Sequence, residues 1–158
     1  SNLLVSLIFL ICIGGCSGYE PIFSSSSLEI KIADYSILGN KKLSNQIYSR
    51  LNNLSRSTKQ TTNTKNIYIS IRTSQDKRAT AKDKTGKTLE YRITLLTNIV
   101  VKDYITENLI LDDSLSFSSI YTVQDQQSKT MELKSQTIKN LIEKTYQELL
   151  IKLSENLL

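Results

Sequence analysis

An α+β two-layer sandwich, with a mostly antiparallel four-stranded sheet packed against two amphipathic helices, is the fold this sequence predicts. Three observations carry the prediction. Apolar and polar side chains alternate with period two in four segments, the signature of strands buried on one face. Two further segments repeat their apolar residues every three or four positions, as a helix facing a core does. The order is strand, helix, strands, helix, without the regular strand–helix alternation of a parallel α/β sheet.

Taken in order, Leu28, Ile30 and Ile32 alternate with Glu29 and Lys31, and Tyr35 and Ile37 resume on a shifted phase. This predicts a strand with an irregularity near Ala33-Asp34. Gly39-Asn40 breaks it, and Asn40 can cap a helix whose apolar face is Leu43, Ile47, Leu51 and Leu54. The polar stretch Ser55 to Asn66 reads as a loop. Ile67, Ile69 and Ile71 alternate with Tyr68, Ser70 and Arg72 in a second strand. The polar run Lys82 to Lys87 is a turn in which Gly86 can take positive φ.

A long third strand sets Leu89, Tyr91, Ile93, Leu95, Ile99 and Val101 on one face and Glu90, Arg92, Thr94, Asn98 and Lys102 on the other. After a break at Asp103 to Asn108, a fourth strand carries Leu109, Leu111, Leu115, Phe117, Tyr121 and Val123 on one side. Its reverse side is mainly Ser and Thr, which suits a sheet wet on one face. The last helix runs from about Lys129 to Leu157 with the stripe Ile138, Leu141, Ile142, Thr145, Leu149 and Leu153. Lys139–Glu143, Lys144–Glu148 and Glu148–Lys152 are spaced as i,i+4 ion pairs on its exposed side.

The N-terminal segment has a different character. An uncharged apolar run of 11 residues, Leu3 to Ile13, leads into Gly14-Gly15-Cys16 and then polar residues. It is too short to span a bilayer, which takes roughly 20 apolar residues. Small residues directly before a cysteine at the end of such a run read as a bacterial lipoprotein signal cut before Cys16. The expected organisation is a signal peptide at 1–15, an acylated Cys16 with a Ser-rich linker at 16–27, and a single α+β domain at 28–158. Cys12, the only other cysteine, falls in the discarded segment, so no disulfide is expected. Ser17 is not the acidic residue associated with inner-membrane retention, which favours the outer membrane, on its periplasmic side.

Enzyme chemistry finds no purchase. The chain has no His, which removes the commonest general base and the commonest metal ligand. Asp112 and Asp113 are adjacent on a strand, so they point to opposite faces and cannot act as a pair. No glycine-rich phosphate loop is present, and no Ser-x-x-Lys stands in a convincing context. The sequence therefore predicts no catalytic residue, no metal, no cofactor and no enzyme activity.

Charge is the positive signal. The net charge is +5, but residues 41–92 hold 13 Lys and Arg against Asp76, Asp83 and Glu90. Within that block Lys77, Arg78, Lys82, Lys84, Lys87 and Arg92 flank one turn, where a hairpin would present them together. Such a tip can pair with phosphates through charge-assisted hydrogen bonds, and Tyr68 and Tyr91 can add flat contact area.

Cys16-Ser17-Gly18-Tyr19 resembles the acylated cysteine, glycine and aromatic start of the lipopolysaccharide-assembly lipoprotein (LptE) family of the Gram-negative outer membrane. Lys84-Thr85-Gly86-Lys87-Thr88-Leu89-Glu90-Tyr91 resembles that family's turn and strand, in which a basic residue and Gly precede Thr-x-Glu-Tyr. The resemblance implies a lipoprotein that plugs and helps assemble the β-barrel of the lipopolysaccharide translocon and binds lipopolysaccharide. It places the acyl group on Cys16 and a lipopolysaccharide contact on Lys84. The family's second basic position falls at Gln124-Asp125, where no cation stands, and the glycine lies one residue further from the cysteine.

The leading expectation is thus a non-enzymatic outer-membrane lipoprotein whose partners are a barrel, lipopolysaccharide and, through acyl chains, the membrane. The alternative is a periplasmic lipoprotein that binds another anionic envelope polymer or a transporter complex without a barrel. A nucleic-acid binder ranks below both, because the basic block lacks the aromatic platform of single-strand binders.

Overall fold

The computed structural model describes residues 28–58 and 61–157. It runs β1 (Ile30–Gly39), α1 (Lys41–Ser57), β2 (Lys65–Lys82), β3 (Thr88–Asp103), β4 (Leu109–Thr122) and α2 (Gln127–Leu157). The strands form one sheet in the order β1-β2-β3-β4. β1 and β2 are parallel, and the other two neighbouring pairs are antiparallel. The parallel pair is a consequence of α1, because a chain that crosses over through a helix re-enters the sheet in its original direction. The expected α+β sandwich is the fold observed, and its sheet is mixed.

Both helices pack on one face. Ile67, Ile69 and Ile71 of β2, Ile93, Leu95, Ile99 and Val101 of β3, and Leu111 and Leu115 of β4 meet Leu43, Ile47 and Leu51 of α1 and Leu141, Ile142, Leu149 and Leu153 of α2. Thr73 and Thr97 interrupt this apolar sheet face as a directly opposed pair, and their buried hydroxyls have no hydrogen-bond partner among the described residues. The α1 turn begins as its sequence predicts, with the Asn40 side chain accepting from Leu43 N at 3.3 Å. Gly39 turns the corner at φ +68, and the Asn40 amide donates to the Thr73 carbonyl at 2.7 Å.

Two serines hold α1 to the edge of the sheet. Ser44 Oγ donates to Leu38 O at 2.8 Å and accepts from Thr73 N at 3.0 Å. Ser55 Oγ donates to Ile30 O at 3.1 Å and accepts from Ile32 N at 3.2 Å. Ser55 thereby satisfies the backbone beside the register shift between Ile32 and Asp34, the irregularity that the sequence predicts near Ala33. Ser55 was expected in a loop; α1 instead continues to Ser57. Replacing Ser55 by Ala leaves a buried amide and a buried carbonyl without their partner. An expected loss of about 1–3 kcal/mol in urea unfolding follows, with Ser57→Ala, exposed two residues on, close to neutral.

Register shifts also correct two expected core residues. Leu89 is passed over where Ala81 faces Glu90 and Lys82 faces Thr88, and it remains 43% exposed. Leu109 faces Lys102 after a shift that skips Ile110, which turns it to the open side at 59% exposure. A one-residue slip moves a side chain to the opposite face. The second strand also runs far past Arg72, to Lys82, because pairing with β3 continues after the apolar alternation ends.

The helix surface differs from the expected ladder of i,i+4 pairs. Glu143 pairs with Arg50 of α1, and Lys152 pairs with Asp113 of β4 at 3.2 Å. No ion pair joins Lys144 to Glu148 or Glu148 to Lys152 among the described residues. Charges at a helix flank reach neighbouring elements as easily as their own next turn, and the tertiary partners hold them here.

Candidate anion-binding surface

The helices cover only part of the sheet. Along β2 the inward row is buried through Thr73, half-buried at Gln75 and exposed at Lys77 and Ala79, so the β2–β3 hairpin projects beyond the helical layer. Its turn is built by Asp83. Asp83 Oδ1 accepts from Thr85 N at 2.8 Å, Thr85 Oγ1 at 2.7 Å and Lys87 N at 3.0 Å. Gly86, at φ +87, completes the turn with its amide donating to Asp83 O at 3.1 Å. The turn is therefore ordered by its own sequence, and Lys84 and Lys87 stand exposed at its end.

The six basic residues do not form one cluster. Lys82, Lys84 and Lys87 belong to the tip. Lys77 faces Ile93 on the helix-bearing side, and its Nζ lies over the Tyr91 ring, 3.8 Å from the centroid. Tyr91 also stacks on Tyr121 with centroids 5.7 Å apart, so this aromatic pair packs against the core and holds Lys77. Arg78 faces Arg92 directly across the strand pair, on the open side of the sheet. Two register shifts, between Ala79 and Ala81 and between Ala81 and Lys82, lie between the turn and this Arg–Arg pair, so the β2–β3 register sets the pair and treating the basic run as a single cluster misses it.

Arg78 and Arg92 line a shallow depression of about 430 Å³ with Ser74, Gln75, Asp76, Thr94, Leu96 and Ser116. Arg78 Nε donates to Asp76 Oδ2 at 2.6 Å, while Arg92 has no ion pair among the described residues. Like charges directly opposed on a sheet are destabilising by roughly 0.2–1 kcal/mol. Around the depression the open face is rich in hydroxyls and amides, with Asn98 opposite Ser114, Thr94 opposite Ser118, and Ser70 on β2. The wet sheet face anticipated from the Ser and Thr alternation is this surface.

Asp112 and Asp113 point apart, as adjacent strand residues must. Asp112 faces Val100 on the open side, and Asp113 reaches Lys152 of α2. Among the described residues no group of three His, Cys, Asp or Glu side chains could hold a metal. No described helix is long and apolar enough to cross a membrane. Cys16 and the linker to residue 27 lie outside the described residues.

Three half-buried carboxylates titrate below the usual range. The Thr85 hydroxyl leads at Asp83, the Thr106 amide followed by that of Ile105 at Asp103, and the Ser114 amide followed by Lys152 at Asp113. A carboxylate whose folded pKa is depressed stabilises above its unfolded value of about 3.9, and that contribution is lost as pH falls through the folded value. With no His in the chain, no side chain of ordinary pKa titrates between about pH 5 and 8. Urea midpoints should be flat across that window and fall below about pH 4. A midpoint that moves between pH 5 and 8 contradicts this account.

No family model matches the chain, and no curated protein matches it by sequence. Solved structures do. A protein of Caulobacter crescentus CB15 described as a candidate lipoprotein aligns with TM-score 0.56 and 11% identity over 83% of this chain and 91% of that one. An uncharacterized lipoprotein B of Nitrosomonas europaea aligns with TM-score 0.55 and 13% identity over 85% and 88%. A minor lipoprotein of Acinetobacter baumannii aligns with TM-score 0.51 and 11% identity over 79% and 94%. At such identities the likeness is one of fold. The described domain has the fold of these bacterial lipoproteins.

Proposed function

We propose that this protein is a non-enzymatic, lipid-anchored component of the outer membrane that plugs and helps assemble a β-barrel lipopolysaccharide translocon and binds lipopolysaccharide. The observation that carries the reading is the sheet itself. One face is buried under two helices, and the other is a broad surface of Ser, Thr and Asn ending in a cationic hairpin. Hydroxyl-rich surfaces suit the polar interior of an outer-membrane barrel. Four strands about 4.8 Å apart span roughly 14 Å between the outer two, so a barrel that encloses them together with the helical layer has to be a large one. The likeness in fold to lipoproteins of three bacteria supports the anchored half of the reading.

Purification from native outer membranes in mild detergent, with mass spectrometry of what accompanies the protein, is the test. An equimolar large barrel is expected, and it should retain the protein when Cys16 is replaced by Ala. Recovery alone or with inner-membrane proteins defeats the plug reading. The hairpin makes a separate prediction. Lys84→Asp with Lys87→Asp changes the tip by four charge units and leaves the Asp83 hydrogen bonds in place, because these come from the Thr85 amide and hydroxyl and the Lys87 backbone, with neither lysine side chain taking part. Lipopolysaccharide affinity should fall at least about tenfold, or 1.4 kcal/mol, with unfolding unchanged. Equal affinity removes the tip as the contact.

A further inference from the structure

The geometry points to Arg78 and Arg92 as a subsite for the phosphate monoester headgroup of an amphiphile, with Leu96 and Ile120 receiving the start of its hydrocarbon. This deepens the proposed function and rests on it only for which amphiphile is bound.

Two directly opposed arginines on an open sheet face cost stability until an anion lies between them. Asp76 offsets one charge and occupies only Arg78 Nε, which orients that guanidinium and leaves its terminal nitrogens and the whole of Arg92 available. Thr94 and Ser116 bring hydroxyl donors to the same depression. Two guanidinium forks with flanking hydroxyls match the three terminal oxygens of a phosphate monoester, whereas a carboxylate satisfies one fork alone. The apolar part is specified by neighbours. Leu96 lines the depression, and Ile120 stands directly opposite Arg92. They are 40% and 46% exposed on a face otherwise rich in hydroxyls. Cation and hydrocarbon surface thus lie side by side, as the boundary between an amphiphile's headgroup and chain requires. Lys77 is excluded, since it lies on the other face against Tyr91.

The experiment measures binding of the full chain to vesicles of phosphatidylcholine containing phosphatidic acid, and separately to inorganic phosphate. Arg78→Gln with Arg92→Gln is compared with Lys139→Gln and Lys144→Gln, which removes the same charge from exposed positions of α2. The arginine variant should lose at least about tenfold in vesicle affinity, and the lysine variant about twofold or less. Equal losses overturn the proposal, because the binding is then unspecific charge attraction. Leu96→Asn with Ile120→Asn should weaken vesicle binding and leave phosphate binding unchanged; no effect on vesicles overturns the amphiphile assignment. Arg92→Gln alone should raise the Tm of the unliganded protein by about 1–3 °C while abolishing the rise that phosphatidic acid produces. A lowered Tm would make Arg92 a structural residue and overturn its role. Co-purification with a barrel is read independently, so a chain without a barrel can keep this subsite and a chain with one can lack it.

Discussion

Gly39→Ala is expected to be among the most damaging single substitutions in the domain, costing about 3–5 kcal/mol in urea unfolding. Two effects add. Gly39 sits at φ +68, where an L side chain costs roughly 1–2 kcal/mol. A Cβ built there also lies 2.4 Å from the Thr73 carbonyl oxygen, which is backbone and is fixed by its bond from the Asn40 amide. Relief requires β1 to move off β2 at the point where Ser44 ties the two strands to α1. Gly86→Ala provides the contrast. Its φ is +87, but nothing lies within 4 Å of the added carbon, so about 1–2 kcal/mol is expected. Similar losses at both sites would show that backbone conformation alone matters and that the Gly39 corner is not closely packed.

Leu149→Ala should cost about 3–5 kcal/mol, by lost burial and by the cavity left between α2 and the sheet. Leu149 is fully buried, in a stripe with Leu141, Ile142, Thr145 and Leu153. Met131→Ala, in the same helix, should change stability by less than about 0.5 kcal/mol, because Met131 is 55% exposed. At 31 residues α2 is about 46 Å long, while its buried positions begin only at Thr137. Its N-terminal turns are held to the chain before them by Thr130, whose Oγ1 accepts from Gln124 N at 2.8 Å. A large loss at Met131 in urea unfolding would mean that this segment packs in a way the described fold does not contain.

These two substitutions also separate what periodicity reveals from what it hides. Leu149 was legible as core because a helix returns the same face every three or four residues, whatever it packs on. The Asn40 cap, the strand alternations and the irregularity at Ala33 were legible for the same reason: each is set by chemistry within a few residues. Gly39 read as a breaker, but its close approach to Thr73 depends on β1 lying parallel to β2, a long-range pairing. Ser55 read as loop and Ser44 lay outside the apolar stripe of α1; both are buried because their hydroxyls satisfy amides and carbonyls of β1 and β2.

For the candidate site the division is similar. The turn Asp83 to Lys87 is local, since an aspartate caps its own next amides, so the sequence by itself determined an ordered cationic tip. It also determined an α+β sandwich with one polar sheet face, because two-residue alternation and helical spacing need no knowledge of neighbours. Only the tertiary structure decided which cations share a surface. Strand pairing put Arg78 beside Arg92 and sent Lys77 through the sheet to Tyr91, and register shifts moved Leu89 and Leu109 off the core. The physical reason is that side-chain direction within a strand is periodic, whereas register between strands is set by pairing across the whole sheet, where one inserted residue reverses a face.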